Sequence, residues 1–90
     1  MAYKVKVTDV LVGDEDKRIR IVVEKVEQNE SGEEIRTTIG EGTLILPANI
    51  SKETIKTEIE NKAKEIVKKY NEALTLKEEL NKLDYQIDEQ

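Results

Sequence analysis

The chain lacks several residue types on which many protein functions depend. Its 90 residues include no cysteine, histidine, tryptophan or phenylalanine, and only one proline. Without cysteine, neither disulfide bonds nor thiolate metal sites can form. Without histidine, the commonest general base and the commonest transition-metal ligand are missing. Three tyrosines are the only aromatic residues, so we expect a core built mainly from aliphatic side chains.

Long apolar runs are also missing. No stretch approaches the roughly 18 apolar residues that a membrane-spanning helix needs. The first ten residues, MAYKVKVTDV, alternate in polarity and do not form the apolar block of a signal peptide. We therefore expect no membrane partner and a cytoplasmic location. The length predicts one domain with a modest core.

Aliphatic and charged residues make up most of what is present. The chain has 10 Ile, 8 Val and 7 Leu, and its net charge is −5. Its richness in Lys, Glu and Ile resembles the composition of proteins from heat-loving organisms. The charge is +1 over residues 1–25, −4 over 26–50 and −2 over 51–90. This distribution excludes a uniformly basic nucleic-acid binder but permits a local basic patch.

The first half of the chain, residues 1–47, has the pattern of a β-meander. Apolar and polar residues alternate from residue 3 until Asp9, where the change of phase predicts a bulge or a strand end that becomes buried on both sides. Polar, glycine-containing turns at 13–16 and 28–32 separate this strand from strands over 17–27 and 33–46. The segment Gly40–Gly42 predicts a bulge or bend in the third strand, and Pro47 ends it. Connections this short predict antiparallel pairing in chain order.

The second half begins with a clear helix start. Ser51 is the predicted N-cap, and Ile50 and Ile55 stand at the two positions of a hydrophobic staple. The following apolar residues recur every three or four positions and form a single helical face. We predict a main helix over 51–71 that covers one face of the sheet. This apolar face comprises Ile55, Ile59, Ala63, Ile66, Val67, Tyr70 and Leu74.

A second apolar stripe follows, and it is out of phase with the first. In one straight helix the two stripes would lie about 110° apart. The Thr75–Glu78 spacing fits a capping box and favours a break near residues 71–75, although no glycine or proline forces one. We therefore predict an α+β fold of β-β-β-α-α order, with a second C-terminal helix over 75–88. The second stripe, which could pair with another copy or pack beside the first helix, is formed by Leu76, Leu80, Leu83 and Ile87.

Five cationic residues have the strand parity opposite to the apolar face. If the helix covers the apolar face, these cations gather on the open side of the sheet, where they could bind phosphate or an acidic protein surface. The simpler interpretation is an ordinary solvated face whose lysines protect the sheet edge from aggregation. The five residues are Lys4, Lys6, Arg18, Arg20 and Arg36.

Catalytic and cofactor chemistry finds little support in the sequence. The acidic run Asp14–Asp16 lacks the further ligands of a calcium loop and is typical of a plain turn. The Gly40–Gly42 segment lies within a strand pattern and so does not resemble a phosphate-binding loop. Every nucleophilic template lacks a member, because no histidine or cysteine is present. We expect no enzymatic activity, no cofactor and no metal.

These observations favour a non-enzymatic interaction or structural module whose partner is protein, with a homodimer formed through the C-terminal stripe. Binding of nucleic acid or of an acidic partner by the basic sheet face is the alternative. A third hypothesis is an acidic mimic that occupies a partner's basic groove, although the many lysines in the helical half argue against it. Self-contained proteins of this size are frequent in phages, archaeal viruses and plasmids, and such an origin is our expectation.

Overall fold

The computed structural model describes residues 2–83 and 86–88. Three strands, β1 (Ala2–Val12), β2 (Asp16–Gln28) and β3 (Glu34–Pro47), precede one helix, α1 (Lys52–Asn81). The strands form an antiparallel sheet in the order β1-β2-β3. The α+β class and the meander are therefore confirmed.

The alternation of β1 shifts where the sequence predicted it. Val7 pairs with Ile21 and Asp9 with Arg20, so Thr8 is the extra residue of a bulge. In β3 the extra residue is Ile39, directly before the glycine pair that predicted an irregularity. Each bulge changes the parity of its strand, and Val10 and Leu44 thereby share the helix-facing side with Ile19.

The start of α1 also follows the prediction. The Thr54 amide donates a hydrogen bond to the Ser51 hydroxyl oxygen at 3.1 Å, which caps the first turn. Ile50 and Ile55 pack on the core cluster on either side of this cap. The first turn of the helix therefore packs against the sheet with its apolar side towards this core cluster.

The predicted break near residues 71–75 and the separate second helix are not found. The helix runs unbroken through this region to Asn81. The Thr75 hydroxyl donates to the Asn71 carbonyl at 3.0 Å, a bond within the helix, instead of capping a new one. With no glycine or proline to interrupt it, the hydrogen-bond ladder continues for 30 residues, about 45 Å.

The core is small and lies between α1 and the β2–β3 half of the sheet. Within the described residues, only five side chains are buried, and Ile21 and Val23 on the central strand have no exposed surface. The helix packs on β3 and β2, which leaves β1 largely uncovered. The helix therefore covers only part of the apolar face on which the sequence predicted it to lie. The five buried residues are Ile19, Ile21, Val23, Leu46 and Ala63.

Glycines in β3 explain why the helix lies to one side. A Cβ atom on Gly40 would lie 2.5 Å from Cγ2 of Ile66, and one on Gly42 would lie 2.9 Å from Cε of Lys62. Because β3 has no side chains at these two positions, the helix backbone can approach it closely. The closest packing is therefore over β3, on the side of the sheet away from β1.

Candidate interaction surfaces

The described residues present three candidate surfaces: the open sheet face, the helix-facing side of β1, and the C-terminal end of α1. No helix in this part of the chain combines the length and apolar content needed to cross a membrane. Nor do its carboxylates form a cluster suited to a metal ion. At the acidic turn, the Gly13 amide donates to the Asp16 carbonyl at 2.8 Å, and the Asp16 carboxylate pairs with Arg18 at 3.5 Å.

The strand register places the five predicted cations together on the open sheet face. Arg18 pairs with Leu11 and Ile45, Arg20 with Asp9 and Thr43, and all of these side chains point away from α1. The residues Lys4 and Lys6 on β1 and Arg36 on β3 have the same parity. The spatial grouping expected from the sequence is thus present, whatever its function.

Carboxylates share this face and neutralise it. The carboxylate of Glu24, on the central strand, forms ion pairs with Lys6 at 3.3 Å and with Arg36 at 3.7 Å. The Glu24 side chain is mostly buried. Glu34 lies 2.9 Å from Arg36 and 3.8 Å from Lys4. The face therefore has no net positive charge. Its acidic members, equal in number to the cations, are Asp9, Asp16, Glu24, Glu34 and Glu41.

The ion pairs change the acidity of their carboxylates. The Arg36 guanidinium, by hydrogen bonding first and by charge second, holds the pKa of Glu34 below its usual range. A phosphate group approaching Arg36 would have to compete with this carboxylate. The sequence showed the parity of the cations, but the cross-strand neighbours that pair with them depended on the register.

A polar cluster joins α1 to the far end of the sheet. The Lys25 ammonium donates to the Tyr70 hydroxyl at 3.1 Å and pairs with Glu27 at 2.8 Å. The Glu27 carboxylate, and then the Tyr70 hydroxyl, raise the pKa of Lys25 above its ordinary value. Nearby, the Tyr3 hydroxyl reaches the Asn71 side chain at 3.5 Å. These contacts mark where α1 reaches the end of the sheet.

Beyond this cluster, the C-terminal end of α1 has no cover. Every described residue from 71 to 83 is exposed, including Leu76 (54%), Leu80 (43%) and Leu83 (57%). The first two lie in the last turns of the helix, and Leu83 follows directly after it. The fourth predicted member, Ile87, lies outside the helix and is 89% exposed. Other parts of the predicted helix 75–88, at 84–85, lie outside the described residues.

The apolar side of β1 is the surface that the sequence analysis missed. Val5, Val7, Val10 and Val12 face the helix side of the sheet and are all exposed. Alternation indicated which side they occupy, but not that the single helix would lie away from them. The available signal was the glycine pair of β3, since a missing side chain favours the nearest approach of a helix.

Comparison with models of protein families, with curated proteins and with solved structures finds no significant match to this chain. The fold defines a two-layer α+β protein with an incompletely covered sheet.

Proposed function

We propose that this chain is a non-enzymatic interaction module that works as a homo-oligomer, and that the C-terminal part of α1 takes part in self-association. The observation that carries the proposal is the exposed area. The chain has an accessible surface of 7385 Å², whereas a compact monomer of its mass, 10.3 kDa, exposes about 5,400 Å². The difference is about 2,000 Å² per chain.

The overall dimensions support the same interpretation. The Cα radius of gyration is 18.4 Å, and the principal extents are 60 × 42 × 19 Å. A compact domain of this length has a radius of gyration of about 12 Å. The protomer is therefore a thin, extended plate with few buried side chains among its described residues.

The size of the surplus agrees with what stable assemblies bury. Obligate homodimers remove roughly 2,000–5,000 Å² in total, or about 1,000–2,500 Å² per chain. The surplus of this chain falls in that range, and several large aliphatic side chains are exposed. Each large aliphatic side chain that becomes fully buried contributes about 1.5–3 kcal/mol, so the exposed leucines of α1 favour association.

Solution mass tests the proposal. We expect sedimentation velocity and light scattering to give a multiple of 10.3 kDa at micromolar concentration, and Leu80→Glu to reduce it towards one chain. The matched control is Asn81→Glu, which adds the same charge at an exposed position turned about 100° from Leu80 on the helix. A single-chain mass for the unaltered protein throughout the concentration series would reject self-association.

Binding through the open sheet face is a second proposal. It is supported by the grouping of Lys4, Lys6, Arg18, Arg20 and Arg36, and weakened by the equal number of carboxylates on the same face. The combined variant Arg18→Glu, Arg20→Glu should abolish nucleic-acid binding at low salt if this face is used, while leaving the solution mass unchanged. Absence of binding by the unaltered chain at low salt would remove the nucleic-acid version.

The third hypothesis, an acidic mimic, is the least supported. Along α1, Glu65 lies between Lys62 and Lys69, with ion-pair distances of 3.9 and 3.1 Å. Because lysines lie three residues before and four residues after Glu65, this part of the helix surface is not continuously acidic. A cytoplasmic site of action stays a prediction from the sequence.

A further inference from the structure

The helix-facing side of β1 is apolar, but α1 does not cover it. On the helix-facing side of β1, the exposed fraction of the valines rises from 40% at Val5 to 69% at Val12. Neighbouring strands lie about 4.8 Å apart and helices pack about 8–10 Å from one another, so one helix covers about two strands. Since α1 lies over β3 and β2, the third strand leaves room for a second helix beside it.

The gap between β1 and α1 forms an apolar groove. It has a volume of about 430 Å³ and is bordered by Tyr3 and Val5 on the strand and by Ala63 and Val67 on the helix. Glu60, Lys64 and Lys68 also line it. In the described part of the chain, neither of these lysines forms an ion pair. The groove is therefore lined by apolar side chains and flanked by charged ones.

The same chain carries an apolar segment at the end of α1 that packs on no other element of the described structure. The segment 74–83 presents Leu76, Leu80 and Leu83 beyond the end of its own sheet. It cannot reach its own β1, because α1 is continuous from Lys52 to Asn81 and passes the sheet end at Tyr70 and Asn71. Each protomer thus has one uncovered strand and one unsupported helix end.

We infer that segment 74–83 of a second copy of this chain occupies the β1–α1 groove at Val5 and continues along β1, with its leucines against Val5, Val7 and Val10. This inference rests on the proposed self-association and specifies the surface that the helix end contacts. In a dimer with two-fold symmetry the exchange is reciprocal, so both grooves and both helix ends are covered at once. The assembly is then closed.

Exposed area favours this occupant over contact between two helix ends alone. Contact between two helix ends alone would leave the β1 valines exposed. Reciprocal exchange would cover both the β1 valines and the leucines at the end of α1, and so would reduce the exposed area on both surfaces.

Paired charge variants test the inference. We place Leu80, the middle leucine of the segment, against Val7, the middle valine of the three, so Val7→Lys and Leu80→Glu should each weaken self-association by about tenfold or more. A mixture of the two variants should regain the dimer mass, because one contact then joins lysine to glutamate and the other joins the original valine and leucine. Circular dichroism of each variant checks that the protomer is folded.

Cysteine pairing provides a test with milder substitutions, since the natural chain has no cysteine. Mixed Val7→Cys and Leu80→Cys chains, one of them labelled with ¹⁵N, should give mainly a mixed disulfide under mild oxidation. Ile45→Cys, which is 64% exposed on the open face, is the control and should not pair with Leu80→Cys.

The outcomes separate this inference from the proposed function. A dimer in which Leu80→Cys pairs only with itself, or in which Val7→Lys has no effect on mass, overturns the groove assignment and leaves self-association standing. A single-chain mass for the unaltered protein overturns both.

Discussion

Cγ2 of Ile66 on α1 lies only 2.5 Å from the point that a Cβ atom on Gly40 of β3 would occupy. This closeness places the helix over β3, and it connects a local property of the strand to the exposure of β1 on the other side of the sheet. The position of the helix is therefore set by which residues lack side chains as well as by which are apolar.

Substitution of Gly40 should loosen this packing. We expect Gly40→Val to lower the free energy of unfolding by about 1–3 kcal/mol, the usual effect of overpacking a close contact, because Ile66 or the helix must move. Urea unfolding at a fixed protomer concentration measures the change. Thr38→Val is the control, since Thr38 lies on the open face of the same strand and meets no helix; an equal loss there would contradict the explanation.

The central strand should be the most sensitive part of the protein. Ile21 has no exposed surface, and Ile21→Ala should cost about 2–5 kcal/mol through lost burial and the cavity it leaves. With so few buried side chains, this loss should leave the chain largely unfolded, as judged by circular dichroism. Ile45→Ala removes the same atoms from a residue that is exposed on β3 and should cost far less; similar losses would show that the core lies elsewhere.

Much of the fold could be predicted from local patterns. Alternation in β1 predicted the irregularity at Asp9, next to the bulge found at Thr8, and the Ser51 cap with Ile50 and Ile55 located the start of the helix. The predicted end of the helix was wrong, because a threonine hydroxyl can either cap a new helix or donate to a carbonyl one turn earlier in the same helix. Thr75 does the latter. Local sequence does not decide between them.

The candidate surfaces were less predictable because they depend on distant pairings. The cations of the open face follow strand parity, which a sequence reveals, but Glu24 and Glu34 reach them only across neighbouring strands. Exposure of Val7 and Val10 depends on where α1 crosses the sheet, and that follows from contacts between β3 and the helix. The predicted apolar stripe is a local pattern, but only Leu76 and Leu80 lie on α1, whereas Leu83 and Ile87 lie beyond its last residue.

The helix start offers a test of local stability. Ser51→Ala removes the acceptor of the Thr54 amide and should lower the free energy of unfolding by about 0.5–2 kcal/mol. Thermal or urea unfolding measures this loss at a fixed protomer concentration. Ser31→Ala, in the β2–β3 loop, removes a hydroxyl that caps no helix and should change stability little. An unchanged stability for Ser51→Ala would show that the cap contributes nothing in this context.

Stability should fall in acid because three carboxylates are held ionised by cationic neighbours. Lys25 lowers the pKa of Glu27, Arg36 that of Glu34, and Lys69 followed by Lys62 that of Glu65, each from an ordinary value of 4.5. A carboxylate whose pKa is lower in the folded state stabilises fully above its unfolded pKa, and this contribution disappears as the pH falls through the folded value. We therefore expect the free energy of unfolding to decrease as the pH falls below about 4.5.

A single substitution can assign part of this acid sensitivity. Glu34→Gln removes the carboxylate beside Arg36, so its unfolding free energy should depend less on pH below about 4.5 than that of the unaltered chain. Urea unfolding between neutral and acid pH, at a fixed protomer concentration, measures the difference in slope. Glu30→Gln, exposed in the β2–β3 loop and without an ion pair in the described part of the chain, controls for the loss of one negative charge. Equal slopes for the two variants would show that the Glu34–Arg36 pair does not contribute to the acid response.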